Sequence, residues 1–131
     1  MLSGDGAARE GGRWNPTGMP AVYCSETSSL AMLEVLARTK GLSASPLYAI
    51  LDLMIPDEHV VEPLGLADGA PAGMAESQRS GAATLAVNLA FAVPSVINPR
   101  ERNIVINPRH PYMRKVRPGR VSTFRFDSRL H

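Results

Sequence analysis

No proline or glycine falls between Pro20 and Gly41, in a chain that otherwise spreads eleven of each through 131 residues. Proline removes a backbone donor and glycine adds backbone freedom, so this uninterrupted run is where a long regular element can grow. Ser25, Thr27, Ser28 and Ser29 supply N-cap candidates, the helix they open runs to about Arg38, and Gly41 supplies the stop. Just upstream, residues 16–20 (Pro-Thr-Gly-Met-Pro) read as a tight turn and residues 21–24 as a short strand. Tyr23 therefore ends a strand and Glu34 sits mid-helix. Glu34 lies among Leu30, Leu33, Val35 and Leu36, a placement that costs free energy unless a partner or ligand meets the carboxylate.

The other segments are shorter. Residues 1–12 carry four glycines and few large apolar side chains, the signature of a loop. Residues 47–55 are apolar and partly β-prone up to Pro56, which predicts a buried strand. Residues 56–82 read as loops with at most one short helix near 75–80. A second buried strand is predicted over 84–97, with Pro94 confining it to an edge or to a bulge that tilts Ser95 out of the ladder. Residues 103–106 form another short strand, ended by Asn107-Pro108, and 121–126 alternates as the last one. The expected fold class is α+β: a single domain, residues 1–131, of short strands around one principal helix.

Composition narrows the function. A 44% apolar, 20% charged chain is globular in character. Cys24, the single cysteine, has no disulfide partner within the chain and suits a reducing, cytoplasmic setting. The longest apolar stretches are too short or too interrupted to span a bilayer, so no membrane partner is expected. Charge is uneven. Residues 98–131 hold nine Lys or Arg against two acids, while residues 1–97 hold five against ten. With few aromatics and no stacking motif, that basic tail points to an anionic small ligand or an acidic protein, with no direct nucleic-acid contact.

Residues 11–15 (Gly-Gly-Arg-Trp-Asn), Val22-Tyr23, the helix around Leu33-Glu34-Val35-Leu36, Val93-Pro94-Ser95, Asn107-Pro108 with His110-Pro111, and residues 126–130 (Phe-Asp-Ser-Arg-Leu) together resemble, in order, the RES domain family. The resemblance implies a fold like that of ADP-ribosyltransferase toxins. It further implies a toxin of a bacterial toxin-antitoxin pair that destroys NAD by phosphorolysis or hydrolysis, and an antitoxin with a helix-turn-helix DNA-binding domain that blocks the active site. NAD would be substrate, with inorganic phosphate as a co-substrate and no bound cofactor. By position, the named arginine, glutamate and serine fall on Arg13, Glu34 and Ser95, with Tyr23 as aromatic companion. The family commonly has a first strand ahead of the glycine-rich loop, and this chain starts almost at that loop. It also lacks the tryptophan that often precedes the Val-Pro-Ser motif.

The chemistry fits these residue types. Cleaving the nicotinamide–ribose bond passes through an oxocarbenium-like ribose, so the protein must hold the anionic pyrophosphate and stabilise positive charge at the anomeric carbon. Arg13 offers a bidentate fork for phosphate, and Gly12 lets the backbone approach it closely. Glu34 offers negative charge and an acceptor for a ribose hydroxyl. Tyr23 offers a ring face for nicotinamide, and Ser95 a hydroxyl for a phosphate or ribose oxygen.

Blander readings stand beside these. Glu34 and Arg38, four apart, have the spacing of a surface ion pair. Trp14 reads as a core plug, Ser95 as a bulge residue, His110 as a structural hydrogen-bonder and Cys24 as a small buried hydrophobe. No metal-ligand spacing surrounds His110. Two further functions fit the same residues: an ADP-ribosyltransferase acting on a macromolecule, and a catalytically inactive domain that binds a partner.

Overall fold

In the computed structural model, which describes residues 2–39, 46–66 and 73–130, the glycine-rich start is helical where a loop was expected. Helix α1 (Asp5–Glu10) uses the good helix formers Ala7, Ala8, Arg9 and Glu10. Two of the glycines mark its ends at positive φ, 74° for Gly4 and 71° for Gly11. Glycine content alone misled because it terminates this helix as much as it interrupts it. Strand β1 (Val22–Ser25) and helix α2 (Ser28–Arg38) follow as anticipated. Thr27 is the cap, its Oγ1 accepting from the Leu30 N–H at 3.1 Å, a bond worth about 1 kcal/mol. The predicted stop at Gly41 lies outside the described residues.

Strand β2 (Tyr48–Met54) leads through a 3-10 turn to the two-residue β3 (Val60–Val61). The next element corrects the sequence reading most. Residues 74–87 form one helix, α3 (Met74–Val87), where a short helix and the start of a strand were expected. Its buried positions are Ser77, Ser80, Gly81, Thr84 and Leu85, a 3.6-residue stripe made almost wholly of small or polar side chains that a hydrophobicity pattern does not register. The hydroxyls are satisfied: Ser80 Oγ donates to the Leu64 carbonyl at 2.5 Å, and Thr84 Oγ1 donates to Ser80 O while accepting from Leu64 N–H at 2.8 Å. At fourteen residues α3 is longer than α2, so the α+β class holds but the domain has two main helices.

Strands β4 (Ala90–Pro94), β5 (Arg102–Ile106) and β6 (Arg117–Phe124) complete the fold. The first sheet has the order β1-β5-β4-β3, antiparallel except for the β3–β4 pair; the second is a β2-β6 ribbon. β2 is therefore not the buried strand expected: Ala49, Asp52 and Met54 are exposed because β6 alone pairs with it among the described residues. β6 begins four residues earlier than predicted. Pro118 and Gly119 are accommodated beside a register shift between Leu51 and Leu53.

Alternation along the strands gives the four-stranded sheet two different faces. On one, Phe91, Val93 and Val105 pack with Trp14, Ala21 and Leu85. On the other, Ala90 and Ile106 pack with Val22, Cys24 and Ile104, and with Leu53, Ile55 and Val116 from the ribbon side. Trp14 is a core plug, 7% exposed and edge-on to Phe91 at 5.4 Å between ring centroids.

Candidate active site

The first face stops being apolar partway along the strands. On β5 the inward series runs from Val105 to Asn103; on β4 it runs from Phe91 through Val93 to Ser95; on the edge strand β1, Tyr23 is followed by Ser25. Polar groups at inward positions need partners, and these have them. Ser25 Oγ–H donates to Asn103 Oδ1 at 2.8 Å, and Asn103 Nδ2 donates to Glu34 Oε2 at 2.5 Å. Glu34 lies one turn after Leu30, which is fully buried, so the packing that sinks Leu30 also turns Glu34 toward the sheet. The partner that the carboxylate required is Asn103, and the helical ion-pair reading with Arg38 gives way to it.

A second network builds the loop that carries Arg13. Tyr23 Oη accepts from the Trp14 N–H at 3.1 Å and donates to Asn15 Oδ1 at 2.6 Å. Asn15, fully buried, sends its Nδ2 to the carbonyls of Ala7 and Met19, each at 2.9 Å. Gln78 of α3 donates to the Gly12 carbonyl at 2.8 Å, and Gly12 N–H donates to Asn15 O. A side chain at Gly12 would bring its Cβ within 2.7 Å of both Asn15 Oδ1 and Tyr23 Oη. α3 presses from below: a Cβ at Gly81 would stand 1.9 Å from the Trp14 carbonyl oxygen. Arg13 is thus an exposed cation on a backbone clamped on both sides. Tyr23 uses its hydroxyl for that clamp while 41% of the residue stays exposed. Its burial nevertheless raises the pKa of the phenol, although the Trp14 and Asn15 backbone bonds oppose the shift.

Ser95 is placed differently from the sequence reading. It leaves the ladder after Pro94 as predicted, but it is 1% exposed, and its Oγ accepts from the N–H groups of Ile97 at 3.0 Å and Asn98 at 3.1 Å. Its oxygen is committed to the β4–β5 turn, leaving only the hydroxyl hydrogen to offer a ligand. His110 acts structurally, its Nδ1 accepting from Tyr112 N–H at 3.0 Å. Cys24 is half-buried in the second cluster, and burial pushes its thiol up to about 11.

A groove of about 870 Å³ lies between β1, α2 and the ribbon. Its wall includes Tyr23 and Ser25, along with Met32, Val35, Ile50 and Phe124, but not Arg13, Glu34 or Ser95. Of the candidate residues, Tyr23 lines this groove, while Arg13, Glu34 and Ser95 do not. Sequence reasoning missed Asn103, Ser25 and Gln78. The available signal was parity: Asn103 shares the inward face with Val105, and an inward polar residue on a central strand calls for a reason.

Two short networks start from inward positions of β1, one from Ser25 through Asn103 to the Glu34 carboxylate and the other from Tyr23 to the loop that carries Arg13. Residues 1–127 match the family model of the RES domain, and the chain belongs to that family. It is 33% identical to a protein of Sphingobium sp. (strain YBL2) named Prs ADP-ribosylating toxin, over 98% of this chain and 86% of that one. It is 34% identical to Toxin Res of Photorhabdus laumondii, with the same two coverages, and 32% identical to Toxin Res of Yersinia enterocolitica, covering 98% of this chain and 89% of that one. No helix among the described residues is long and apolar enough to cross a membrane.

Proposed function

We propose that this chain is a toxin that consumes NAD by breaking its nicotinamide–ribose bond. The observation that carries the reading is the placement of Glu34: a carboxylate on a mostly apolar helix, held by Asn103 against the sheet end where Tyr23 and the Arg13 loop meet. Arg13 grips the pyrophosphate, the open ring face of Tyr23 receives the nicotinamide, and Glu34 stabilises positive charge on the ribose. The bond between nicotinamide nitrogen and the anomeric carbon breaks, its electron pair leaves with neutral nicotinamide, and a phosphate oxygen bonds to that carbon, with loss of the phosphate's proton to solvent, to give ADP-ribose 1″-phosphate. With water as acceptor the products are ADP-ribose and a proton. The cationic loop favours phosphate. Ser95 serves by shaping the β4–β5 turn.

Transfer of ADP-ribose to a macromolecule shares every step up to the acceptor, and the name of the Sphingobium relative, an ADP-ribosylating toxin, favours it as a second reading. Incubating pure protein with NAD, with and without phosphate, and then with labelled NAD and candidate acceptors, separates the two. Nicotinamide release accelerated by phosphate, with no labelled macromolecule, supports NAD consumption; a labelled acceptor supports transfer; no nicotinamide release in any arm rejects both and leaves a binding domain. The partner in this reading is an antitoxin with a helix-turn-helix domain, whose acidic segment is drawn by the basic C-terminal region and inserts a carboxylate opposite Arg13. Arrest of a bacterial host by this chain, relieved by co-expression of the partner, is the expected behaviour.

A further inference from the structure

Glu34 has two carboxylate oxygens, and the structure distinguishes them. Asn103 Nδ2 engages Oε2 at 2.5 Å, which leaves Oε1 to meet whatever binds. The amide that makes this bond is itself oriented from the other side, because Asn103 Oδ1 accepts the Ser25 hydroxyl at 2.8 Å. Rotating the amide by half a turn would set Oδ1 against the carboxylate, two acceptors facing each other with no hydrogen between them. It would also leave the Ser25 hydroxyl facing a donor. Only one orientation satisfies all three residues.

The three members come from three elements. Ser25 and Asn103 are directly paired across the β1–β5 ladder, and Asn103 is also paired with Val93 of β4, so the amide rides on a strand held on both sides. Glu34 rides on α2, which contributes little other polar contact to the sheet. A carboxylate on a helix has three side-chain torsions to settle, whereas an asparagine on a central strand has two, and its strand is anchored by neighbours. The rigid member therefore orients the flexible one.

We propose that Asn103, fixed by Ser25, is a positioning residue that holds the Glu34 carboxylate with Oε1 toward the reacting ribose. The proposal rests on the NAD-cleaving reading for its kinetic consequence, and on the hydrogen-bond chain alone for its structural one. A bond that merely tied α2 to the sheet would change stability and nothing in the chemical step. A positioning bond changes the chemical step more than binding, because in this reading the pyrophosphate and nicotinamide are held by Arg13 and Tyr23, while the Asn103 side chain hydrogen-bonds to Ser25 and Glu34.

The experiment compares wild type with Asn103→Leu, Ser25→Ala, Ser25→Thr and the Ser25→Ala/Asn103→Leu double variant. Misorienting a reacting group costs about ten- to a hundredfold in rate, so Asn103→Leu lowers kcat by that factor with KM for NAD changed less than about threefold. Ser25→Ala gives a smaller loss in the same direction, Ser25→Thr restores most of it by keeping the hydroxyl, and the double variant is no slower than Asn103→Leu because Ser25 acts only through the amide. A readout independent of turnover is the Asn103 side-chain amide signal in the ¹H–¹⁵N spectrum. In wild type, one of its two protons is shifted downfield and exchanges slowly. In Ser25→Ala and in Glu34→Gln, the pair moves toward the position of a free amide. Wild-type kcat in folded Asn103→Leu, or additive losses in the double variant, overturns the proposal, as does a free-amide signal in wild type. If wild type releases no nicotinamide, the NAD reading fails, while the amide signal still decides whether Asn103 holds Glu34.

Discussion

Two regions of this molecule handle polarity in opposite ways. Around the Gly-Gly-Arg loop and the inner ends of β1 and β5, polar side chains are interlocked: Asn15 serves three backbone carbonyls and one phenol, and Ser25, Asn103 and Glu34 form a chain. In the β2–β6 ribbon, seven of the eight residues of β6 are exposed, and Arg117, Arg120 and Pro118 stand on a strand with one partner among the described residues. Charge, proline and a register shift are how an edge strand avoids pairing with another chain. The comparison teaches that density of charge does not locate the chemistry. The basic C-terminal region supplies field, while the candidate site is marked by a few polar groups turned inward and held by one another.

The sharpest break of that comparison is Glu34→Gln, which keeps the shape and removes the charge. It should lower nicotinamide release by about a hundredfold or more, the scale of one electrostatic group at a transition state, about 2 to 4 kcal/mol. A parent rate in the folded variant would return Glu34 to the status of a structural residue. Gly81→Ala comes next: its Cβ would collide with the Trp14 carbonyl, backbone that cannot swing aside. Overpacking of this kind costs about 1 to 3 kcal/mol, read as a lower urea midpoint, and activity should fall with it because the Arg13 loop rests on that carbonyl.

Arg13→Lys keeps the charge but loses the fork, and should raise KM for NAD by roughly tenfold with stability unchanged, since Arg13 is exposed. A smaller effect concerns the boundary between the regions. Burial raises the Cys24 thiol to about 11 from 9.0, so the unfolded chain loses that proton first and stability falls as pH rises from about 9 toward 11. Cys24→Ala should flatten this alkaline slope in melts recorded across that range. The smallest effect belongs to the ribbon: Arg117→Ser with Arg120→Ser should change stability by less than about 0.5 kcal/mol and leave basal nicotinamide release unaltered. A loss of activity there would erase the distinction between the two regions.

Local signals carried much of this protein. The serine-threonine cluster and an uninterrupted run announced α2, Pro56 bounded β2, and an ionisable residue on an apolar helix singled out Glu34, whereas β4 is shorter at both ends than the strand expected over 84–97. Resemblance added Arg13 and Ser95 by order of motifs. Patterns keyed to large apolar side chains failed where burial is achieved by small ones: α3 hides a stripe of Ser77, Ser80, Gly81 and Thr84, which pack closely because they are small and satisfy their own hydroxyls.

The sequence by itself determined which segments are helical or extended wherever capping, proline and periodicity agree, because those preferences act over a few neighbouring residues. Only the tertiary structure decided that Asn103 meets Glu34 across 69 positions, that Ser25 meets Asn103 across 78, and that Gly81 must be glycine because Trp14 rests on it. Those facts depend on which strands become neighbours and which face turns inward. That choice is made by the burial of the whole core, and no short window of residues contains it.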